Sequence, residues 1–346
     1  MKAILYDTFA GPLKLETVPD PQLPPDGVII QVRANGICRS DWHGWQGHDA
    51  DIRQFPHVPG HELAGDIVAV GPLVKRWKIG QRVTVPFCLG CGSCPQCQTG
   101  NQQICDQYYQ PGFSGWGAFA EYVALPYADV NLVSIPESLD YADVASLGCR
   151  FSTAFRALIA QAQLQAGEWL AVHGCGGIGL SAVMIGLAQG AQVIAIDIQD
   201  EALNIAADLG ATVCINPLKT DVLTAIHTVS KGGVHVSMDA LGSAVTCRNS
   251  ILSLRKRGRH LQVGLLTDQD ENPALPMGPV ISKELEIYGS HGMQAHAYDA
   301  LFSMIESGKL SPQKLITERV SLAESPQILQ RMTDFKVAGI TIIDRF

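Results

Sequence analysis

The feature that most constrains the fold is a glycine-rich turn between an apolar strand and an apolar helix. Gly174-Cys175-Gly176-Gly177-Ile178-Gly179 follows the strand-like run WLAVH and opens a helix-like run that continues to residue 189. In this setting G-x-G-x-x-G lets backbone N–H groups at a helix N-terminus approach a pyrophosphate. A second strand, VIAID, ends at Asp197, where a carboxylate can accept hydrogen bonds from an adenosine ribose or can simply close a turn. We therefore expect a dinucleotide to bind at Gly174, Gly176, Gly177, Gly179 and Asp197.

The pattern of apolar runs and turn residues changes along the chain and predicts two domains. From about Gly167, apolar strands alternate with helix-length segments, which indicates a doubly wound parallel sheet with right-handed crossovers. Before about residue 135, short β-like runs are broken by proline and glycine, as in an irregular β-rich domain. After Gly292 we expect helices at 295–307 and 325–334 and a final strand, GITIID. Periodicity leaves open whether these last elements extend the parallel sheet or return to the first domain.

Length and composition narrow the class of protein. A chain of 346 residues is long for one hydrophobic core, and no apolar run is long enough to span a bilayer. A net charge of −8 without a Lys/Arg cluster argues against nucleic acid as a partner. The start MKAILYDTF shows no secretory pattern, so we expect a cytoplasmic enzyme with reduced cysteines.

Four of the ten cysteines are spaced as metal ligands. Cys91, Cys94, Cys97 and Cys105 lie in one Pro/Gly-rich loop and can form a closed tetrahedral site, which is typical of structural zinc. Cys88 stands just before this group and could shift the register, but the tighter spacing of the other four favours it as a bystander.

A second set of possible ligands is dispersed along the sequence: Cys38, His61, Glu62 and Cys149. Two thiolates and one imidazole would leave a fourth position of Zn²⁺ free, as catalysis requires. Their spacing does not by itself establish a site, because a buried cysteine is usually core packing and a lone histidine is usually hydrogen-bonded.

At these residues the sequence resembles the zinc-dependent medium-chain alcohol dehydrogenases. The resemblance rests on Gly60-His61-Glu62-Leu63-Ala64-Gly65 with Gly71, the turn Cys38-Arg39-Ser40-Asp41, the four-cysteine loop, Cys149 and the glycine fingerprint. It implies a GroES-like catalytic domain at residues 1–150 and 288–346, interrupted by a Rossmann domain at 151–287. It also implies two zinc ions per chain, one catalytic and one structural, with NAD as the cofactor.

The resemblance assigns roles to individual residues. It implies that Cys38, His61 and Cys149 hold the catalytic zinc, because two cysteines and one histidine are the ligand set of alcohol dehydrogenases. It also implies that Glu62 lies behind the metal and can bind it transiently. Asp41 orients His61 through its other ring nitrogen. Ser40 contacts the alcohol oxygen and passes its proton through the nicotinamide ribose to His43.

Further positions are implied for the cofactor and the substrate. Arg39 is placed to meet the pyrophosphate, and Thr153 and Ile178 to pack on the nicotinamide ring. Four aromatic residues are candidate walls of the substrate pocket, although aromatic side chains are more often core: Trp42, Trp45, Phe87 and Trp116. Arg150 departs from the family, because it follows Cys149 where a small residue is common and brings a positive charge close to the metal or the cofactor.

The resemblance therefore implies reversible hydride transfer from a primary or secondary alcohol to NAD, giving an aldehyde or ketone and NADH. A polyol or threonine dehydrogenase of the same superfamily is the alternative, but polyol enzymes tend to use glutamate where this chain has Cys149. A catalytically dead zinc- and NAD-binding relative is more remote, since all three ligands, the relay pair and Asp197 are present. By analogy we expect a homo-oligomer, most simply a tetramer.

Overall fold

A computed structural model describes residues 1–267, 270–334 and 338–346 of the chain. Its β-strands are β1 (Lys2–Leu5), β2 (Lys14–Thr17), β3 (Val28–Ile37), β4 (Glu62–Val70), β5 (Arg82–Thr84), β6 (Tyr122–Leu125), β7 (Val133–Ser134), β8 (Trp169–His173), β9 (Gln192–Ile196), β10 (Val213–Ile215), β11 (Val234–Asp239), β12 (Leu254–Gln262), β13 (Glu286–Gly289), β14 (Ile316–Ser321) and β15 (Ile340–Arg345).

The helices are short in the first part of the chain and longer between the strands of the second. The α-helices are α1 (Arg39–Gln46), α2 (Pro95–Gln98), α3 (Ala128–Asn131), α4 (Tyr141–Ala145), α5 (Ser152–Arg156), α6 (Gly177–Ala188), α7 (Asp200–Leu209), α8 (Val222–Val229), α9 (Ala244–Leu252), α10 (Met277–Ser282), α11 (Tyr298–Glu306) and α12 (Ser325–Arg331). Two π-helical segments flank α5, at Leu147–Phe151 and Ala157–Gln161. Single 3₁₀ turns lie at Gln102–Ile104, Ala295–Ala297, Pro312–Leu315, Leu322–Glu324 and Met332–Asp334.

The structure separates into two compact units. The first contains Met1–Ser152, Gly292–Ser307 and Pro312–Phe346, and the second contains Thr153–His291 with Gly308–Ser311. Within the described ranges, no helix has both the length and the apolar character needed to span a membrane.

The first unit is built on a sheet in the order β14-β15-β3-β4-β5-β7, with β6 paired to β3, beside a separate β1-β2 ribbon. Its pairings are antiparallel except for the parallel pair β14 and β15. Strand β15 pairs with β3, so the end of the chain belongs to this unit and not to the parallel sheet. The GroES-like architecture expected from the sequence is confirmed.

The second unit is a six-stranded parallel sheet in the order β10-β9-β8-β11-β12-β13. Numbered from β8, this is the order 3-2-1-4-5-6 of a Rossmann fold, which confirms the doubly wound prediction. Strands β8 and β9 are apolar and almost fully buried because helices cover both faces of such a sheet. The order reverses between β8 and β11, so the glycine turn after β8 lies where such folds bind nucleotides.

Helices at 298–306 and 325–331 lie inside the two ranges that the sequence predicts, and each range is completed by a 3₁₀ turn. One boundary differs from the pattern. The apolar run HLQVG, at residues 260–264, predicts only the end of this strand, whereas β12 starts at Leu254 and includes three charged residues before Gly258. These side chains are exposed or half-buried, so hydrophobicity could not reveal this part of the strand.

Candidate metal centres and nucleotide site

The dispersed ligand candidates come together in the first unit. Cys38, His61, Glu62 and Cys149 each offer a ligand atom, and these atoms all lie within 4.8 Å of one another. Cys38 follows β3, His61 immediately precedes β4, and Cys149 lies in the π-helical segment before α5. The antiparallel pairing of β3 with β4 brings residues 36 and 62 opposite each other, which is how ligands distant in sequence become neighbours.

The chemistry of this cluster fits a metal cation. Among the described residues, Nε2 of His61 is a buried ring nitrogen without a hydrogen-bond partner, whereas its Nδ1 lies 2.9 Å from Asp41. A buried polar atom without a hydrogen-bond partner is costly, and a metal ion bound in the cluster would give this nitrogen a partner. A hydrogen bond from Cys149 lowers the pKa of Cys38 well below its ordinary value against the opposing effect of burial, which favours the thiolate that a metal binds.

Asp41 connects the segments that carry two of the ligands. Its Oδ2 accepts from the backbone N–H of Cys38 at 2.8 Å, and its Oδ1 accepts from that of Gly60 at 3.0 Å. The same Oδ1 faces Nδ1 of His61. Asp41 is 2% exposed, in the first turn of α1. Burial lowers the pKa of His61, but the Asp41 carboxylate and the Cys38 sulfur together hold that pKa well above the ordinary value.

Glu62 is engaged by the residues next to Cys149. Its Oε1 accepts from the backbone N–H groups of Cys149 at 2.8 Å and Arg150 at 3.2 Å, and from Nε of Arg150 at 3.1 Å. Its Oε2 accepts from Nη2 of the same arginine in a buried ion pair. The sequence marked Arg150 as unusual, but its partner lies 88 residues away and could not be read from a local pattern.

The four-cysteine loop forms a second cluster, and its Sγ atoms also lie within 4.8 Å of one another. Backbone N–H groups point at the sulfurs, from Cys91 to Cys105 at 3.2 Å and from Cys94 to Cys91 at 3.4 Å. Hydrogen bonds from Ser93 are the main cause that lowers the pKa of Cys91 to about 6, so a thiolate is favoured there. Cys88 packs instead with Cys38, Phe87 and Cys149. The four thiols of the loop, without Cys88, therefore fit a closed metal site.

The glycine turn of the second unit leaves its backbone accessible to a ligand at the N-terminus of α6. Gly176 caps α6, and the space where its Cβ would stand is open. A Cβ on Gly179 would stand 1.8 Å from the carbonyl oxygen of Gly174, so only glycine lets the helix pack against the turn. Asp197 follows β9, and its two carboxylate oxygens accept from the backbone N–H groups of Cys175 at 2.7 Å and Gln199 at 2.8 Å. Each oxygen keeps lone-pair capacity for a ribose hydroxyl.

The expected relay residues lie along α1, half-buried. Ser40 is in its first turn, and His43 places Nδ1 3.1 Å from Nδ1 of His48. The sequence analysis missed His48 because this residue lies beyond the end of α1 and belongs to none of the motifs that carry the family resemblance. The guanidinium of Arg39 stacks on Trp42 at 3.9 Å and donates to the carbonyl of Met332. Thr153 is buried in α5 and begins the second unit, and Ile178 lies in the first turn of α6.

The four aromatic pocket candidates separate into two groups. Phe87 packs with Cys38 and Cys149, and its ring centre is 6.1 Å from that of His61. Trp45 is buried in a different core cluster that includes Tyr6 and Ile343, and Trp42 and Trp116 pack against that cluster. The structure thus brings Phe87 alone among the four into the core cluster that holds two of the candidate ligand cysteines.

A GroES-like unit with an open thiolate–imidazole cluster, together with a Rossmann unit, defines a metal-dependent oxidoreductase. Comparison with known proteins specifies the family. Residues 24–137 match the alcohol dehydrogenase GroES-like domain, and residues 177–307 match the zinc-binding dehydrogenase domain. The chain belongs to the zinc-dependent medium-chain alcohol dehydrogenase family.

Individual relatives match along nearly the whole chain. An alcohol dehydrogenase of Geobacillus stearothermophilus is 32% identical, over 99% of this chain and 98% of its own. A sorbitol dehydrogenase of Bacillus subtilis is 33% identical, over 96% of this chain and 94% of its own. The solved structure of alcohol dehydrogenase TADH from Thermus sp. ATN1 superimposes with a TM-score of 0.90 at 29% identity, with all of both chains covered. The protein is therefore a dehydrogenase of this family.

Proposed function

We propose that the protein is a zinc-dependent alcohol dehydrogenase that transfers a hydride from a primary or secondary alcohol to NAD. The observation that carries the proposal is the cluster of two cysteines and one histidine whose Nε2 is buried without a partner in the described part of the chain. Three such ligands leave a position open on a tetrahedral metal, and an alcohol oxygen can occupy it.

The reaction removes a hydride and a proton from the alcohol. A zinc ion held by Cys38, His61 and Cys149 would supply the Lewis acidity that makes the hydroxyl proton easier to remove. An oxidised nicotinamide held by the second unit would supply the acceptor for the hydride of the carbinol carbon. Ser40 Oγ would accept the hydroxyl proton and pass it through the nicotinamide ribose to the imidazole of His43, which is half-buried on α1.

Cofactor binding is assigned to the second unit. The fingerprint glycines Gly174, Gly176, Gly177 and Gly179 are proposed to bind the pyrophosphate at the N-terminus of α6, where the space beside Gly176 is open. Asp197 can receive the adenosine ribose. Thr153 and Ile178 remain candidates for the nicotinamide ring and Arg39 for the pyrophosphate, although its guanidinium here stacks on Trp42. We propose NAD as the cofactor and two zinc ions per chain, the second held by the four-cysteine loop.

A panel of alcohols with NAD tests the activity. We expect NADH absorbance to rise with simple primary or secondary alcohols, and no turnover after Cys38→Ser. Polyol oxidation is the second candidate function, because a sorbitol dehydrogenase is as similar in sequence as the alcohol dehydrogenases. Turnover of sorbitol or threonine with silence on simple alcohols would replace the first proposal by the second.

A homo-oligomer, most simply a tetramer, is the proposed assembly. Strand β13 lies at the edge of the parallel sheet and pairs, within the described residues, with β12 on one side. Ile287 on this strand is 41% exposed, and Ile281 in the preceding helix is 75% exposed. An apolar open edge is a template for pairing with a second copy. A light-scattering mass equal to one 37.2 kDa chain would refute this proposal.

A further inference from the structure

Every hydrogen bond that the carboxylate of Glu62 accepts comes, in the described part of the chain, from residues 149 and 150. Two of the donors are backbone N–H groups, and two are on the guanidinium of Arg150, which binds both carboxylate oxygens. Arg150 is 5% exposed and Glu62 is fully buried. A planar guanidinium that binds both oxygens of a carboxylate fixes its orientation as well as its charge.

Two glycines make space for this arrangement. A Cβ on Gly36 would stand 2.2 Å from Oε2 of Glu62, and one on Gly148 would stand 2.5 Å from its Cβ. Neither glycine has a positive φ, so their backbone conformations are open to other residues. Both positions therefore lack a side chain because the side chain of Glu62 needs the space, and not because the backbone needs the freedom of glycine.

The carboxylate is nevertheless close to the metal ligands. One Glu62 oxygen lies within 4.8 Å of the ligand atoms of Cys38, His61 and Cys149. A rotation of this side chain could bring it to a metal bound there. Two thiolates and a third anion would more than neutralise Zn²⁺, whereas Arg150 balances the carboxylate and leaves two thiolates to balance the metal. Buried charges need such a partner.

We propose that Arg150 is a positioning residue that holds Glu62 away from the catalytic metal and so keeps the fourth coordination position open to the alcohol. The inference rests on the proposed metal site at Cys38, His61 and Cys149. Arg150 acts through Glu62 and contacts neither substrate nor cofactor in this role. Without it, the Glu62 carboxylate becomes a fourth protein ligand and competes with any ligand from solution.

Cobalt-substituted protein provides a test that does not depend on turnover. Co²⁺ in place of zinc has visible absorption that changes when imidazole binds, and the closed four-cysteine site has no position for imidazole. We expect Arg150→Gln to weaken imidazole binding by about tenfold or more, equivalent to about 1.4 kcal/mol. The double variant Arg150→Gln/Glu62→Gln should regain the affinity of the unmodified protein, because the competing carboxylate is gone.

Two further variants keep the test decisive if Arg150→Gln does not fold. Glu62→Gln alone should bind imidazole as the unmodified protein does, because its carboxylate is already held off the metal. Arg259→Gln is the matched control, since it removes an arginine from a part-buried ion pair with Glu168 in the other unit. Thermal unfolding of each variant reports whether it is folded.

Equal imidazole affinity in folded Arg150→Gln and the unmodified protein would overturn the inference. Tighter imidazole binding in Glu62→Gln would overturn it too, because the carboxylate would then already compete at the metal. These results leave the proposed function intact. If unmodified cobalt protein shows no response to imidazole, the open metal site fails, and the proposed function fails with it.

Discussion

Oδ1 of Asp41 lies 2.9 Å from Nδ1 of His61, and both side chains are completely buried. The contact leaves Nε2 as the ring nitrogen that faces the cluster, because a carboxylate neighbour fixes the proton on Nδ1. Asp41 also accepts from the backbone N–H groups of Cys38 and Gly60. One carboxylate therefore sets the position of two candidate metal ligands, one after β3 and one before β4.

Asp41→Asn should weaken binding of the catalytic metal about 10- to 100-fold, the range usual for a residue that orients a histidine ligand. An amide keeps the shape but lacks the charge that supports the imidazole and cannot accept at both atoms. Competition with a chromophoric zinc chelator measures the affinity. Asp66→Asn is the control, since Asp66 on β4 forms an ion pair with Arg33 on β3, away from the ligand cluster. An unchanged zinc affinity in Asp41→Asn would contradict the orienting role.

The two metal sites should differ in what their loss does. Cys94→Ser should lower the zinc content from about two per chain to about one and lower the melting temperature, because a structural zinc contributes to folding. Cys38→Ser should abolish turnover with the fold retained. Elemental analysis with thermal unfolding separates these results. The exposed Cys214, changed to serine, is the control and should alter neither. One metal or none in carefully prepared unmodified protein would count against two sites.

Removal of the relay should slow proton exit and leave the metal site intact. His43→Gln should lower kcat most at the acidic end of the working range, where bulk base is scarce. The readout is a pH profile of kcat for both proteins at saturating alcohol and NAD. A higher concentration of a small buffer base should restore part of the lost rate. A uniform loss at all pH values would point instead to positioning of the cofactor or substrate.

Most of the fold could be predicted from local patterns in the sequence. The glycine turn, Asp197 and the alternating strands and helices predicted the Rossmann unit because each is a short-range signal. The spacing of the four cysteines in the loop is an equally short-range signal, and the structure places their sulfur atoms together. The dispersed ligands needed the family resemblance, because only the pairing of β3 with β4 and the π-helical turn around Cys149 bring them into one cluster.

What the sequence could not reveal depends on long-range packing. The Arg150–Glu62 pair joins positions far apart in the chain, so Arg150 appeared only as an unexplained charge. The sequence does not show which side of α1 Trp42 and Trp45 face. Trp45 lies in the core, and its indole N–H donates a hydrogen bond to the carbonyl oxygen of Gly11. Asp200 lies three residues after Asp197 and from the sequence alone would add negative charge there, but Nζ of Lys219 donates to both of its oxygens, at 2.8 and 2.6 Å.

Cofactor choice depends on Asp197, since the charge of Asp200 is met by Lys219. The phosphate of NADP would bring between one and two negative charges to the place where Asp197 should bind the ribose hydroxyl of NAD. We expect unmodified enzyme to prefer NAD by about a hundredfold or more in kcat/KM.

Asp197→Ser should reduce this ratio mainly by weakening NAD, because the variant loses the ribose acceptor and the anchor for the Cys175 N–H. Adding Ile198→Arg, at an exposed position, should then begin to favour NADP through a guanidinium that can bind phosphate. Asp200→Asn is the matched control and should leave the ratio nearly unchanged. Initial rates with both cofactors at several concentrations give the two values of kcat/KM. The idea fails if unmodified enzyme uses NADP as well as NAD, or if Asp197→Ser and Asp200→Asn show the same ratio.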